Sequence, residues 1–110
     1  MATYTPKALI GPAASLTTTV TGYTSPAATN GIIRTISACA NAGGHSLTVS
    51  LGADAAATRI IAAQPLTANQ VYVQNGWWVT AQNTSHAIDA SSDTASANVV
   101  IGSIDGYEYA

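Results

Sequence analysis

The chain has 110 residues, which fits one domain, and only 7% of them are charged, against about 25% in a typical soluble domain. The formal net charge is −2, and the basic residues are Lys7, Arg34 and Arg59. Nucleic-acid binding needs clustered Lys and Arg to neutralise phosphates, so this composition argues against it. No apolar run approaches the roughly 18 residues of a membrane-spanning helix, so we expect no membrane association.

The N-terminal sequence and the cysteine content suggest where the chain folds. The N-terminus lacks a basic segment followed by an apolar stretch, so we expect no signal peptide. The single cysteine, Cys39, has no partner for an internal disulfide. Both features favour synthesis and folding in a reducing cytoplasm.

Alanine and threonine dominate the chain, which gives the surface small and neutral side chains. Free monomers generally carry more charge for solubility. The centres of protein interfaces, in contrast, are depleted in Lys, Glu and Asp. The composition therefore favours a protein that packs against copies or partners over a monomer that happens to be rich in Ala and Thr.

The first residues differ from the rest. Pro6, Gly11 and Pro12 interrupt regular structure, yet Leu9 and Ile10 are apolar. We therefore predict an extended N-terminal arm over 1–15, followed by one folded domain over 16–110. An apolar arm of this kind is either disordered or docked on a neighbour.

Apolar residues of the domain recur with period two, which is typical of half-buried strands. The alternation predicts strands over 16–21, 32–40 and 46–51. The residues expected on the inward face of the second strand are Ile32, Ile36, Ala38 and Ala40. The same face would hold Arg34, so we expect a bulge or an edge position there.

The segment from Asp54 to Ala63 fits two structures. One is a short helix capped by Asp54. The other is a loop followed by a strand from Arg59 to Ala63, which Pro65 would end. The β pattern on both sides favours the loop and strand.

Turn signals divide the remaining sequence into short strands. Asn75-Gly76 predicts a hairpin between Val71–Gln74 and Trp77–Ala81, because Asn and Gly tolerate positive φ. Later strands are expected around Ile88 and over 99–104, with Val99 and Ile101 on one face and Val100 and Ile104 on the other. The other turn signals are Asn30-Gly31, Gly43-Gly44, Gly52-Ala53-Asp54 and Asp105-Gly106. Seven or eight strands at spacings of about 8–12 residues predict an all-β fold, a single antiparallel β-sandwich or jelly roll.

The pair Trp77-Trp78 is the most unusual feature of the sequence. Adjacent strand residues point to opposite faces, so Trp78 faces outward if Trp77 lies in the core with Val79. An exposed tryptophan can form a subunit contact, where Trp is enriched among anchoring residues. It can also form a platform for stacking carbohydrate, or pack under the N-terminal arm of its own chain. The subunit contact is favoured.

Aromatic and apolar residues at both ends of the chain are candidates for the same interface. Tyr107 and Tyr109 are two residues apart and share one face if the backbone is extended. With Tyr4, they could dock the chain ends on neighbouring subunits, or remain solvated tail residues. The candidate interface residues are Trp78, Tyr4, Leu9, Ile10, Tyr107 and Tyr109.

The sequence lacks the common signatures of catalysis. His45, His86 and Cys39 are the soft metal ligands, and they are too far apart in sequence to form a short ligand motif. We interpret Asp89 and Asp93 as part of a polar hairpin loop, since they lack the pattern of a calcium loop. Ser, His and Asp are all present, so composition alone leaves a triad open, but no Gly-x-Ser-x-Gly, Walker or Gly-x-Gly-x-x-Gly motif occurs. We therefore expect no catalytic residue, no metal and no cofactor.

Residues 26–41, P-A-A-T-N-G-I-I-R-T-I-S-A-C-A-N, resemble a family of small Ala/Thr-rich virion structural proteins of tailed bacteriophages. Members typically carry a P-A-A-T turn, then an Ile/Val-Arg-x-Ile strand and an Asn-rich loop. Residues 66–70 and 86–108 are similar to a later turn and to the closing pair of strands. The resemblance covers about residues 16–108, and Trp77-Trp78 departs from the usual pattern.

The resemblance implies a β-sandwich that coats or joins parts of a virion, with no catalytic residues to carry over. We expect a multi-copy capsid decoration or cement protein, with a neck, tail-tip or fibre-attachment protein as the alternative. A carbohydrate or host-surface binding module is an alternative of a different class. The expected partners are copies of the chain, as a trimer or higher symmetric assembly, and other virion proteins such as the major capsid protein. The expected location is the virion, after synthesis in the cytoplasm of a bacterial host.

Overall fold

The computed structural model describes residues 3–11, 14–41, 43–93 and 98–110. These residues form nine β-strands and no helix, so none of them belongs to a helix that could cross a membrane. The strands are Tyr4–Ile10 (β1), Ala14–Leu16 (β2), Thr21–Ser25 (β3), Asn30–Ala40 (β4), His45–Ser50 (β5), Arg59–Leu66 (β6), Val71–Val79 (β7), Thr84–Ser92 (β8) and Val99–Tyr109 (β9).

The strands form two sheets that pack face to face. In the larger, five-stranded sheet, the order is β1-β9-β4-β7, and β2 pairs with β9 beyond the end of β1. The smaller sheet has four strands in the order β3-β8-β5-β6. The strand pairings are antiparallel. The prediction of an all-β antiparallel sandwich is confirmed.

The pairings are nested about the loop over 51–58. On either side of this loop β5 pairs with β6, β4 with β7, β3 with β8, and β2 with β9. The chain is therefore one long hairpin, folded at this loop and wrapped so that successive pairs fall in alternate sheets. This winding is that of a jelly roll, the second of the two predicted architectures.

The core between the sheets is built from aliphatic side chains. Its largest fully buried apolar members are Leu16, Ile33, Ile36, Leu47, Leu66, Ile88, Ile101, Ile104, Val49 and Val99. Both sheets contribute, so burial of these side chains holds the two layers together.

A register shift in β4 confirms the bulge expected at Arg34. Both ladders of β4 shift between Ile33 and Thr35, and Arg34 is exposed. Ile36, Ala38 and Ala40 lie in the core as predicted, but before the bulge it is Ile33 that joins them. Ile32, which we expected to point inward, pairs with Tyr107 and Val79 on the opposite face.

A second shift corrects the prediction for β9. Ser37 pairs with Ser103 but Ala38 pairs with Ile101, so Gly102 is an extra residue on β9. This insertion brings Ile101 and Ile104 onto the same, inward face, and both are fully buried. The expectation that Ile104 faces away from Ile101 is therefore wrong.

Local turn signals were right at two places and wrong at three. Gly43-Gly44 and Gly52-Ala53-Asp54 lie between strands, and Gly44 and Gly52 have φ of 75° and 120°. Asn30-Gly31 instead forms the start of β4, and Asn75-Gly76 and Asp105-Gly106 lie inside β7 and β9. At Gly106 the backbone passes so close to the Ile32 carbonyl oxygen that a Cβ would overlap it. Glycine at this position therefore permits close approach of two strands rather than a turn.

Two further segments test the strand predictions. The loop and strand favoured over a helix for Asp54 to Ala63 are confirmed, because β6 begins at Arg59. It continues past Pro65 to Leu66, which an edge strand tolerates. The strand predicted over 16–21 is absent, since β2 ends at Leu16 in the larger sheet and the next strand starts at Thr21 in the smaller one.

The N-terminal segment differs from the expected arm. Residues 4–10 form β1, which pairs with β9 of the same chain from Tyr4 opposite Tyr109 to Ile10 opposite Ile104. Because β4 occupies one edge of β9, the other edge would leave backbone groups unpaired without β1 and β2. Pro12 lies outside the described residues.

Candidate interaction surface on the larger sheet

Strand β7 presents an apolar row to solvent at one edge of the larger sheet. Its side chains alternate between exposed and half-buried over all nine residues. The exposed apolar members are Val71 (68% exposed), Val73 (53%), Trp77 (53%) and Val79 (46%). We call these four residues, with Asn75 between them, the β7 row. Contiguous exposed apolar side chains are typical of interaction sites.

The edge of β7 differs chemically from the other sheet edges among the described residues. β1 carries Pro6 and Lys7, β6 carries Arg59 and Pro65, and β3 is only five residues long. Charges, prolines and short length each hinder pairing with a foreign strand. β7 is nine residues long and has neither a charge nor a proline. It therefore lacks these three features, and its extra residue opposite Arg34 is the one irregularity of its ladder with β4.

Trp77, not Trp78, is the outward tryptophan. Trp78 pairs with Ile33 and packs half-buried against the core, whereas Trp77 and Val79 are on the solvent side. The assignment of Trp78 to the exposed interface is therefore wrong. It rested on placing Trp77 and Val79 in the core, and the pairing of β7 with β4 reverses that choice.

Gly76 explains how Trp78 fits on the inward face. A Cβ on Gly76 would lie 2.5 Å from Cη2 of the Trp78 ring, so the indole covers this glycine. The Asn-Gly pair thus provides space beneath a large ring within a continuous strand. The predicted hairpin would have placed the same two residues at its tip.

The Trp77 ring is held by Arg34 at the bulge of β4. The guanidinium carbon lies 4.8 Å from the ring centroid, a cation–π arrangement. Arg34 Nε also donates a hydrogen bond to the Gly76 carbonyl oxygen at 3.0 Å. These contacts orient the ring and cover one side of it, so a ligand or partner can stack only on the other side.

The three predicted interface tyrosines lie together on the outward face of the larger sheet. The Tyr4 ring centroid is 4.7 Å from that of Tyr109 and 6.0 Å from that of Tyr107. Tyr107 of β9 pairs with Ile32 of β4, and Ile32 is buried on this outer face. The tyrosines therefore pack on one another within the chain, and their contact with a neighbour stays a prediction.

Leu9 and Ile10 do not form an exposed interface. Both are buried members of the core of their own chain. The residues were assigned to a docking arm because prolines and glycine flank them, but the pairing of β1 with β9 turns them inward.

Contacts of Glu108 join β1, β9 and β3 on the face of the larger sheet opposite the three tyrosines. Tyr23 donates a hydrogen bond to Glu108 Oε2 at 2.6 Å, and Lys7 Nζ lies 3.3 Å from Glu108 Oε1. Burial and the hydrogen bond to the carboxylate raise the pKa of Tyr23. The hydrogen bond from the Tyr23 hydroxyl lowers the pKa of Glu108 below its ordinary value of 4.5, and Lys7 lowers it further by a smaller amount.

The smaller sheet carries a polar cluster around Asp89. Asp89 lies within β8 and is only 3% exposed, so its assignment to a hairpin loop is wrong. Its Oδ1 lies 2.7 Å from His86 Nδ1, and its Oδ2 accepts a hydrogen bond from the Asp54 backbone N–H. Asp54 in turn accepts hydrogen bonds from Arg59 and Ser50, and these lower its pKa.

The Asp89 cluster fits a structural role in anchoring the loop over 51–58. Asp89 can orient the imidazole of His86, but no hydroxyl or thiol of the described residues hydrogen-bonds to that ring. Over the part of the chain that the structure describes, no three His, Cys, Asp or Glu side chains converge as metal ligands do. Asp93 lies apart from Asp89, near His45, and accepts a hydrogen bond from the Ser46 N–H that lowers its pKa.

Comparison of the chain with protein-family models, curated proteins and solved structures found no match.

Sequence reasoning missed most of the β7 row. Val71, Val73, Trp77 and Val79 occupy odd positions throughout, so the alternation passes through Asn75-Gly76 without interruption. That unbroken parity was the available signal for one long strand with a single apolar face. The hairpin interpretation masked it by treating the two halves separately.

Proposed function

We propose that the chain is a non-enzymatic structural component of a bacteriophage virion, a capsid decoration or cement protein present in many copies. The observation that carries the proposal is the β7 row, an apolar and uncharged edge on a chain with very few charges. An isolated monomer would expose this edge to unwanted pairing, whereas an assembled protein would cover it.

The architecture adds support by analogy. Jelly rolls recur in viral capsid proteins, although they also occur in lectins and enzymes. The resemblance of residues 16–108 to small virion proteins of tailed phages points in the same direction. Many copies on one particle make weak individual contacts sufficient, because each bound copy is held by several neighbours.

The direct test is the composition of purified particles. Phage particles from a lysate that contains the chain are banded by density, and quantitative mass spectrometry gives its copy number relative to the major capsid protein. A fixed ratio near one copy per capsid subunit, or one per local symmetry axis, supports a decoration protein. About a dozen copies or fewer per particle would instead support the neck, tail-tip or fibre-attachment alternative. Absence from the banded particles would overturn the virion assignment.

A carbohydrate-binding module is the second candidate, and Trp77 is the observation that favours it. The ring is half-exposed, Asn75 lies on the same face of β7, and one side of the indole is open. Aromatic rings and amide groups are suited to stacking on and hydrogen-bonding to sugars. A glycan array probed with the wild-type chain and with Trp77→Ala tests this role. Binding that disappears in Trp77→Ala would favour it over assembly.

A further inference from the structure

We propose that two copies of the chain pair edge to edge through β7, antiparallel, about a two-fold axis that passes between the Asn75 residues of the two strands. The inference deepens the self-assembly part of the proposed function, because it names the surface, the partner and the register. The two larger sheets would merge into one continuous sheet, and their outward faces would form a single surface.

The length and chemistry of β7 favour a second copy of the same strand. An isologous contact brings each residue against the same patch of its partner, so any charge near the axis would meet a like charge. Over its nine residues β7 has no charge, no proline and an unbroken alternation of faces. Each of the other edges formed by described residues has a charge, a proline or a short length that disfavours such pairing.

The sequence of β7 selects the register. A two-fold axis perpendicular to the sheet pairs residues whose numbers have a constant sum, and all nine residues pair only when that sum is 150. Val71 then lies opposite Val79, and Val73 lies opposite Trp77 of the second copy. Asn75 meets Asn75, and amide side chains can donate and accept hydrogen bonds with one another.

Neighbouring registers are less favourable. A shift of the axis by one residue leaves two residues of each strand unpaired and places Asn75 opposite a valine or Trp77. Asn75 Oδ1 accepts a hydrogen bond from Thr35 Oγ1 within the chain, and an apolar side chain opposite Asn75 leaves its amide NH2 group without a partner from the second copy. The apolar members of the β7 row therefore match one another best about Asn75.

The register shift beside Arg34 puts an extra residue on β7. Ile33 pairs with Trp78 and Thr35 pairs with Asn75, so Gly76 and Trp77 both lie opposite Arg34, whose Nε donates a hydrogen bond to the Gly76 carbonyl oxygen. Exposure along β7 still alternates at every residue through Trp77 and Val79. The side chains that would meet a second copy thus keep a common face over the whole strand.

The first experiment measures the molecular mass of the full chain by light scattering over a concentration series. The wild type is expected to reach twice its 11.1 kDa mass. Val73→Lys places a lysine near the paired Trp77 on each strand, and we expect it to weaken dimerisation by about tenfold or more. Ala8→Lys puts the same charge on exposed β1 and should dimerise as the wild type does. Circular dichroism checks that all three chains remain β-sheet proteins.

The second experiment tests the register by disulfide formation. In a Cys39→Ala background, Asn75→Cys places the two introduced thiols opposite each other across the axis, so oxidation should link two chains. Val71→Cys is the matched control, because its two introduced thiols would be eight positions apart, about 27 Å at about 3.4 Å per residue. Equal or greater cross-linking of Val71→Cys would overturn the register.

The possible failures separate the inference from the proposed function. A wild-type chain that is monomeric at millimolar concentration overturns β7 pairing, while the particle measurement still decides the virion role. A wild-type oligomer that Val73→Lys does not weaken rules out β7 as the contact surface. A dimer that is absent from phage particles supports the pairing and contradicts the virion assignment.

Discussion

The two edge strands of the larger sheet, β1 and β7, differ in their side chains and in their contacts with the rest of the chain. At one edge, β1 carries Pro6 and Lys7, its last residues enter the core, and its tyrosine stacks on two others. At the other edge, β7 carries no charge or proline and exposes Val71, Val73, Trp77 and Val79. The first edge is closed by contacts within the chain. This contrast is the reason for proposing β7, rather than β1, as the edge that binds a partner.

The largest difference between the edges should appear in stability. Ile10→Ala removes a buried side chain at the end of β1, and we expect it to lower the free energy of unfolding by about 2–5 kcal/mol. Val73→Ala truncates an exposed side chain on β7 and should change it by about 0.5 kcal/mol or less. Urea denaturation of both variants at low protein concentration, where the chain is monomeric, measures the difference. Equal losses would mean that β1 is not part of the folded core.

The two tryptophans of β7 should separate stability from association. Trp78→Ala opens a gap against the core beside Ile33, and we expect a loss of about 3 kcal/mol. Trp77→Ala should leave the stability of the monomer nearly unchanged and weaken dimerisation, since Trp77 faces outward. Denaturation and light scattering on the same preparations check both expectations. A large loss of stability in Trp77→Ala would place that ring in the core.

The contact beneath β1 should make the fold sensitive to acid. Because the pKa of Glu108 is lowered by folding, its contribution is fully present well above its ordinary value of 4.5 and is lost as pH falls through the lower, folded-state pKa. Tyr23→Phe removes a hydrogen bond to that carboxylate and should cost about 1.5–3 kcal/mol at pH 7. The difference in the free energy of unfolding between the wild type and the variant should be smaller at pH 3 than at pH 7. A difference that is independent of pH would show that Glu108 ionisation does not contribute through Tyr23.

Lys7 forms a partly exposed ion pair with Glu108, so its replacement should have a small effect on stability. Replacing Pro6 and Lys7 by Thr and Val should cost about 1 kcal/mol or less in monomer stability. The change also gives the protein a second sheet edge without charge or proline. Dimers could then associate through this edge into open-ended polymers. Turbidity and electron microscopy would detect them. The same variant combined with Val73→Lys should form dimers at most.

The sequence predicted the sandwich well because alternation within single strands identifies the strands without reference to their partners. The start of β6 at Arg59 and the bulge at Arg34 were also correct for local reasons, a loop composition and a charge on an apolar face.

The errors occurred where pairing between distant strands decides the outcome. Asn75-Gly76 has the composition of a hairpin turn, but pairing with β4 makes it part of a strand, with Gly76 under the Trp78 ring. Residues 4–10 have the composition of an arm, but the free edge of β9 makes them a strand. The candidate site was only partly predictable for the same reason. The grouping of Tyr4, Tyr107 and Tyr109 was anticipated, whereas the outward face of β7 depended on its partner strand.

The nested pairing of the jelly roll has a consequence for the newly synthesised chain. β1 pairs with β9, which begins 89 residues after Ile10, so the first strand emerges from the ribosome long before its partner. At about 5–20 residues per second, this delay is roughly 5 to 20 s. During this interval the edge of β4 that pairs with β9 in the folded sheet has no partner. Chains growing side by side on one messenger would thus present this edge to each other before either is folded. Co-translational binding by a chaperone would prevent premature pairing at that stage.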